Sequence, residues 1–554
     1  MSLLRSIDGS PEISQPQPTV GHWLDEFPPQ ASRLYPDQRE LLARFANGMH
    51  DHQRLLLQAP TGAGKTHLIA TLVAAAVLAS LRVLILATRT RLVRQIHERL
   101  EEFQIDHGVM AAALPGMVDR FQLVQVCSVD TLYRRCLVDN RMPLPSAEVV
   151  IFDEAHLALG ESRRKLLACY PHARLFGFTA TPAMTSGRPL KEQFDALILG
   201  PTVRQLIDSK RLVKPRVFNR PVVTDKDLKG VAKDSKTGDY QTGELSALLS
   251  RPKLVGDVVQ NWLKIANGKR TLVFTVDKAH GAQVLTEFRQ AGVPCEQLTD
   301  QDDDATREEA IARLERGETQ ILVNCFLLSY GIDIPAVECV VLARPTRSVV
   351  LYLQAVGRGM RTAPGKDSVI VIDHGRVIEN LGMPQAEQYW SLHEGNVNQQ
   401  ARDNQTKPRS VGIEKPRQCQ ECSLLWIVSD DGNCCPGCGW KPAPRLKPVQ
   451  IENADLGEAG AVEQEPQWEQ FFREACGWYQ ARWPEKWAAK ENSGRAWAWF
   501  KTREKCKIVV DKIPTRCWRM PILPPSLETA GYLKSQLIRW AKSQRNPANQ
   551  RLFQ

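Results

Sequence analysis

The chain has 554 residues, a formal net charge of +10 at pH 7, 43% apolar residues and 24% charged residues. This composition excludes a disordered or fibrous chain, and the length predicts about three to four globular domains with ordinary cores. The positive excess is concentrated late, where residues 441–554 hold 20 Lys/Arg against 12 Asp/Glu, a bias that leans toward a polyanionic partner.

The 14 cysteines are thinly spread except where Cys419, Cys422, Cys434, Cys435 and Cys438 crowd together, unlike a secreted disulfide framework. No charged segment followed by an apolar core opens the sequence, and the apolar stretch from Leu68 to Leu81 is too short to cross a bilayer. The expected setting is a reducing cytoplasm, without membrane contact.

Residues 1–30 contain Pro11, Pro16, Pro18, Pro28 and Pro29 and no apolar periodicity, which predicts a flexible arm. Over 31–215, apolar runs alternate with helical patterns: Arg54 to Gln58, Arg82 to Ala87, Leu123 to Ser128, Val149 to Phe152 and Arg174 to Phe178. That alternation predicts a mostly parallel sheet with helices on both faces. A polar, glycine-punctuated stretch within 216–250 reads as a connector. A second alternating unit over 251–400 has strand candidates at Thr271 to Phe274, Gln320 to Asn324, Cys339 to Leu342 and Ser368 to Ile372. A cysteine module (416–442), an acidic linker (443–466) and a basic, tryptophan-rich domain (467–554) complete the order.

The segment Ala59-Pro-Thr61-Gly62-Ala63-Gly64-Lys65-Thr66 lies between the apolar run Leu55 to Leu57 and a long apolar helix pattern. This is the strand-loop-helix setting of a phosphate-binding loop. Its glycines let backbone N–H groups converge on phosphate oxygens, Lys65 adds a fixed charge, and Thr66 offers a hydroxyl to Mg²⁺. Ala59 stands where the general pattern has its first glycine. Asp153 and Glu154 follow the run Val149 to Phe152, so they fall at the C-terminal edge of a strand, where ligands gather in such sheets. Asp153 is expected to hold Mg²⁺, and Glu154 to orient and deprotonate the attacking water. Gln354-Ala-Val-Gly-Arg358-Gly-Met-Arg361 lies in the second unit. Its two arginines are three apart, on one face if helical, and are candidate arginine fingers that reach the γ-phosphate when the cleft between units shuts.

Together these segments resemble superfamily 2 helicases of the DEAD/DEAH type over about residues 34–375. The resemblance implies two tandem RecA-like (P-loop) lobes in an α/β fold and an activity coupling ATP hydrolysis to movement on nucleic acid. Tyr35-Pro-Asp-Gln38 resembles the motif whose glutamine reads adenine. Thr88-Arg89-Thr90 and Ser128-Val-Asp-Thr131 resemble first-lobe segments that touch a nucleic-acid backbone, and Thr179-Ala-Thr181-Pro182 resembles the segment that couples hydrolysis to strand binding. Phe274-Thr275 and Gly331-Ile-Asp333 resemble second-lobe motifs, the first at the strand and the second near the ribose and the cleft. The stretches Ala343 to Thr346 and Tyr352 to Gly365 are similar to bacterial RadD-type DNA repair helicases and related phage helicases, which implies DNA as substrate in a bacterial or phage-infected cytoplasm. An RNA helicase, an ATP-switched clamp and a defence-system motor are the rivals.

Cys419-x₂-Cys422, twelve residues, then Cys435-x₂-Cys438 has the spacing of a four-thiolate zinc ribbon. The expected role of Zn²⁺ is structural, with Cys434 as an alternative to Cys435. From Trp478 to Arg519, six tryptophans stand among eleven Lys/Arg. That mixture suits single-stranded nucleic acid or a junction, since bases stack on indoles while phosphates meet cations. The same tryptophans could instead form the core face of a small, mainly helical C-terminal domain. The ribbon or this tail could also receive a protein partner.

Overall fold

The structure, a computed structural model, describes residues 23–112, 114–325, 334–393, 395–406, 414–441, 467–506 and 515–544. The described part of the chain divides into two compact units, 1–444 and 445–554. Most of the N-terminal arm, the whole 443–466 linker, Gly331 and Asp333 lie outside the described residues.

In the first unit, seven described strands form one parallel sheet: β1 (Arg54–Gln58), β2 (Val83–Ala87), β3 (His107–Met110), β4 (Val124–Ser128), β5 (Val149–Asp153), β6 (Arg174–Thr179) and β7 (Ala196–Leu199). Their order is β3-β4-β2-β5-β6-β1-β7. The inner strands β2, β4 and β5 are buried on both faces, so they read as continuous apolar runs rather than alternating ones. Five helices bear on the site: α1 (Pro36–Asp51), α2 (Lys65–Leu78), α3 (Thr90–Glu102), α4 (Val349–Gly359) and α5 (Val397–Thr406). α2 is apolar nearly all round and runs through the core beneath the sheet.

The second sheet contains β8 (Lys214–Asn219), β9 (Thr271–Phe274), β10 (Cys295–Leu298), β11 (Ile321–Asn324), β12 (Cys339–Leu342), β13 (Ser368–Asp373), β14 (Arg417–Gln418) and β15 (Leu424–Trp426), in the order β10-β11-β9-β12-β13-β8-β15-β14. Two expected boundaries move. β8, split between the first lobe and the connector in the sequence reading, pairs in parallel with β13 along its whole length and so belongs to the second sheet. The connector is not a bare loop. Residues 222–249 fold over the second sheet on a small core of Val223, Leu228, Val231, Tyr240, Leu245 and Leu249.

The cysteine module is likewise part of this sheet, not an appendage. β15 runs antiparallel to β8, with Leu424 opposite Phe218 and Leu425 opposite Val217. This pairing, with Phe218 buried against Leu424 and Trp426 of the hairpin, seals an edge that would otherwise present unpaired backbone groups. Arg204, which follows β7, pairs with Asp430 beyond the hairpin, and Lys214 pairs with Asp431.

The second unit, taken by itself, packs helices Gln467–Arg482, Pro484–Ala489, Glu491–Cys506 and Leu527–Gln544. The helix pattern through Tyr479, Trp483 and Trp487 is broken at Trp483, because Pro484 starts a new helix. Trp487 and Trp499 are buried with Phe471, Phe472 and Leu533. Trp478 and Trp497 stack at 5.8 Å with 12° between planes, and Trp483 meets Trp478 edge-on. Core packing therefore accounts for Trp487 and Trp499, while Trp478, Trp483 and Trp497 are half-buried.

Candidate functional site

The loop from Ala59 to Thr66 joins β1 to α2. Gly62 and Gly64 hold φ of +85° and +81°, values that favour glycine. At Gly64 a Cβ would stand 2.3 Å from Gln38 Nε2, so the position is closed to larger residues twice over. Ala59 N–H donates to Thr179 O (2.9 Å), and Lys65 Nζ donates back to Ala59 O (3.1 Å). Gln38 is buried against this loop. Its Nε2 donates to Ala63 O (2.7 Å) and its Oε1 accepts from Tyr35 N–H (2.9 Å). The amide thus braces the loop, with one further hydrogen bond available at each atom. Arg211 lies over the Tyr35 ring, 4.9 Å from its centroid, and pairs with Asp37.

β5 delivers Asp153 and Glu154 to the same sheet edge. Glu154 takes the left-handed conformation, φ +54° and ψ +51°, uncommon for a residue with a Cβ and often found at functional sites. Burial, reinforced by neighbouring Glu154, pushes the Asp153 carboxyl well above its ordinary range. For Glu154 burial also acts upward, but His156, Lys65 and Arg358 outweigh it and hold the group low. Burial pulls the Lys65 ammonium down against the opposing pull of Glu154 and Asp153. The buried Asp153 carboxyl, raised by burial beside Glu154 at a phosphate loop, is an oxygen donor that a divalent cation fits.

The second lobe closes on this edge through α4. Gly357 approaches the loop so closely that a Cβ there would lie 3.2 Å from Thr61 Oγ1. Gln354 is buried, and its Nε2 donates to Thr181 Oγ1 (3.2 Å) and lies 3.4 Å from His156 Nε2. His156 Nδ1 lies 3.2 Å from Thr179 Oγ1 and 3.3 Å from Glu154 Oε2. Arg358 and Arg361 both act electrostatically on Lys65. The expectation that the two arginines share one helical face is not met, because only Arg358 lies on α4. α4 ends at Gly359, and Arg361 instead sits in a bridge with Leu212, where burial brings its guanidinium down to about 10 despite Glu154.

Residues 31–184 match the family described as type III restriction enzyme, res subunit, and residues 253–363 match the helicase conserved C-terminal domain. The chain belongs to the superfamily 2 helicases. It is 29% identical over 385 residues to a 51.5 kDa protein of a Lactococcus phage, covering 69% of this chain and 77% of that protein. It is 30% identical over 260 residues to IRC3 of Saccharomyces cerevisiae, provisionally named an ATP-dependent helicase, covering 45% of this chain but only 37% of the yeast protein. A solved fragment provisionally described as the HsdR subunit of a type I restriction enzyme from Vibrio vulnificus YJ016 superposes with a TM-score of 0.51 at 21% identity, covering 66% of this chain and 68% of the other. The matched helicase domains, with ATP-dependent helicases among the relatives, support a nucleic-acid-dependent ATPase.

In this superfamily 2 helicase the strand-facing candidates are unevenly placed. Arg89 caps α3 after β2 and is exposed, and Thr131 follows β4 on the same edge, its hydroxyl accepting from Ala112 N–H (3.3 Å). Thr88 and Ser128 are buried and offer little beyond backbone. Thr275 corrects an expectation: it is wholly buried, with its hydroxyl directed at the carbonyls of Asp277 and Asn324, so its side chain does not face a strand.

The sulfurs of Cys419, Cys422, Cys435 and Cys438 lie within 4.8 Å of one another, with 3.5 Å between Cys419 and Cys438 and 3.6 Å between Cys422 and Cys435. A tetrahedral zinc with bonds of about 2.3 Å requires sulfurs about 3.8 Å apart, so the cluster fits that ion. Cys435, not Cys434, completes the set. Backbone N–H groups of Cys422 and Gly437 point at Cys419 and Cys435 Sγ. His97, Glu101 and His107 also lie together. There His107 Nδ1 donates to Ile105 O and its Nε2 meets His97 Nδ1 at 2.8 Å, so hydrogen bonding satisfies the group.

Sequence reasoning did not assign site roles to His156 and Thr181 individually, although Thr181 lies in a motif it quoted and His156 stands two residues after Glu154. It missed Asp239, Ser348 and Asn398, which carry no local signature.

Proposed function

We propose that this protein is an ATP-driven DNA translocase or helicase, and that its ATP is bound and hydrolysed at the seam between its two lobes. The N–H groups of Thr61 to Thr66 cradle the phosphates, and Lys65 neutralises their charge. Thr66 and Asp153 would hold Mg²⁺, which would spread the charge of the phosphates. Glu154, kept ionised by His156 and Lys65, orients the attacking water and takes its proton. Arg358 and Arg361 meet the charge that develops on the transferred group, while Gln38 supports the loop and adenine. Gly331 and Asp333 belong to this reading by resemblance.

The observation that carries the proposal is the link from Glu154 through His156 to Gln354 and Thr181. It ties the hydrolytic carboxylate to the lobe that must move. Residues that follow β2 and β4, Arg89 and Thr131 foremost, flank the adjoining stretch of the sheet edge, where a strand would run. The restriction-enzyme description of the matched family favours DNA, and the likeness to RadD-type sequences favours repair, recombination or replication. The cysteine cluster holds a structural zinc that keeps the β14–β15 hairpin on the second sheet. The basic tail adds affinity for a single strand or junction, or receives a protein partner.

The test is ATP turnover with single-stranded DNA, duplex DNA and RNA across a salt series, followed by strand displacement. Stimulation by DNA above RNA supports the reading. Preference for RNA, or turnover indifferent to all three, overturns it, and stimulation without displacement assigns translocation alone.

A further inference from the structure

The segment that leaves the second lobe returns to the first before it reaches the cysteine hairpin. At its turn, Asn398 is 4% exposed and makes one hydrogen bond to each lobe. Its Oδ1 accepts from Val349 N–H (2.8 Å), in the first turn of α4, and its Nδ2 donates to Thr185 O (2.9 Å) in the first lobe. Thr185 O also accepts from Ser348 Oγ (2.7 Å), the N-cap of α4. Next to it, Asn396 Nδ2 donates to Ser186 O (2.8 Å) and Val397 N–H donates to Gly187 O (3.1 Å). Gly187 has a φ of +84°, and a Cβ on it would lie 2.2 Å from Asn396 Oδ1.

Each end of this contact leads to the hydrolysis site. The loop bridged at Ala183 and Pro189 directly follows Thr181, which Gln354 touches. α4 carries both Gln354 and Arg358. The second-lobe end is itself fixed: buried Asp239 accepts from Thr346 Oγ1 (2.7 Å), Arg347 N–H (2.7 Å) and Arg344 Nη2 (3.3 Å), and Arg402 of α5 donates to Arg347 O (3.0 Å). A buried amide or carbonyl without a partner is costly. Separation of the lobes leaves Asn398 Nδ2 and Thr185 O without this contact, so the bond favours the closed arrangement.

We propose that Asn398 is an interlobe latch, a positioning residue that seats the first turn of α4 against the loop after Thr181 so that Gln354 and Arg358 engage together. Docking of α5 then sets the closure equilibrium. The proposal rests on the interlobe hydrolysis reading and adds a control that the helicase motifs do not contain.

Asn398→Asp tests it with little change of shape. The variant keeps the acceptor for Val349 N–H but turns the donor to Thr185 O into a carboxylate oxygen facing a carbonyl. The expected result is a fall of about three- to thirtyfold in strand-stimulated kcat, the range of coupling mutations, with the Kd for a fluorescent ATP analogue within about twofold of wild type. X-ray scattering is expected to show compaction by a non-hydrolysable analogue in wild type and its loss in the variant. Asn398→Ala, which removes both bonds, is expected to be impaired at least as much. An Asn398→Asp protein that compacts and turns over like wild type overturns the latch. So does a loss of turnover that only tracks a lowered Tm while compaction persists. If no nucleic acid stimulates wild type, the motor reading fails, and the scattering comparison still decides the latch.

Discussion

Gln354 on the second lobe places both hydrogens of its amide nitrogen on the first, one toward Thr181 Oγ1 at 3.2 Å and one toward His156 Nε2 at 3.4 Å. With the amide in this orientation the imidazole accepts at Nε2, and its Nδ1–H serves Thr179 and Glu154. Gln354→Ala removes the donor that crosses the seam without touching the phosphate loop. Strand-stimulated kcat is expected to fall at least about tenfold with nucleotide affinity little changed. Stopped-flow binding of a fluorescent ATP analogue beside steady-state turnover checks this; a rise in Kd equal to the loss in kcat/KM contradicts it.

Glu154→Gln keeps the left-handed backbone and side-chain volume but removes the base. Turnover is expected to fall by about 10² to 10⁴, the usual contribution of a positioned general base, while ATP still binds. Single-turnover hydrolysis of radiolabelled ATP measures it directly. Near-normal chemistry in this variant would assign the base elsewhere.

The cysteine cluster gives a prediction that discriminates neighbours. Cys435→Ser removes one of four converging sulfurs, whereas Cys434 lies outside the group. Metal content by mass spectrometry is expected to stay at about one zinc per chain for Cys434→Ser and to fall toward zero for Cys435→Ser. Because β15 pairs with β8 and covers Phe218, the zinc-free protein is expected to become sensitive to trypsin between residues 414 and 441. Equal zinc in both variants would move the ligand set.

Much of this site was legible in the sequence because its chemistry is local. A phosphate loop needs glycines at positive φ beside a lysine, and Gly62, Gly64 and Lys65 declare it within four residues. Asp153 and Glu154 declared themselves by following a β-run. The short strands β3, β7 and β10 escaped notice, since four residues carry little periodic signal, whether mixed in polarity as in Cys295–Leu298 or uniformly apolar as in Ala196–Leu199. The docking of the cysteine hairpin on β8 was not legible, because pairing of Leu425 with Val217 joins positions some two hundred apart with nothing in either segment to mark the other. Asn398 and Asp239 were hidden for the same reason. Their roles come from backbone and side-chain groups of distant segments, not from neighbours in sequence.

Two buried histidines set the response to acid. Burial holds His280 at about 4, with Arg344 adding to the effect and Asp277 opposing it, and burial likewise holds His374 at about 4. The ordinary value is 6.5. The unfolded chain therefore takes up protons as pH falls through 6.5, while the folded chain refuses them until about 4. Stability from each neutral histidine is complete above 6.5 and is lost between 6.5 and 4, with a slope of up to about 1.4 kcal/mol per pH unit. Asp373, which burial raises to about 6, acts with the opposite sign because its folded form binds a proton first. Comparison of variants isolates one term from this sum. His280 Nδ1 accepts from Val276 N–H (3.3 Å), a bond that Asn supplies through Oδ1 without titrating. Urea unfolding at pH 7, 5.5 and 4.5 is expected to show His280→Asn less stable than wild type at pH 7 and closing the gap by about 1 to 3 kcal/mol at pH 4.5. A gap that stays constant with pH would mean that His280 is protonated in the fold as readily as out of it.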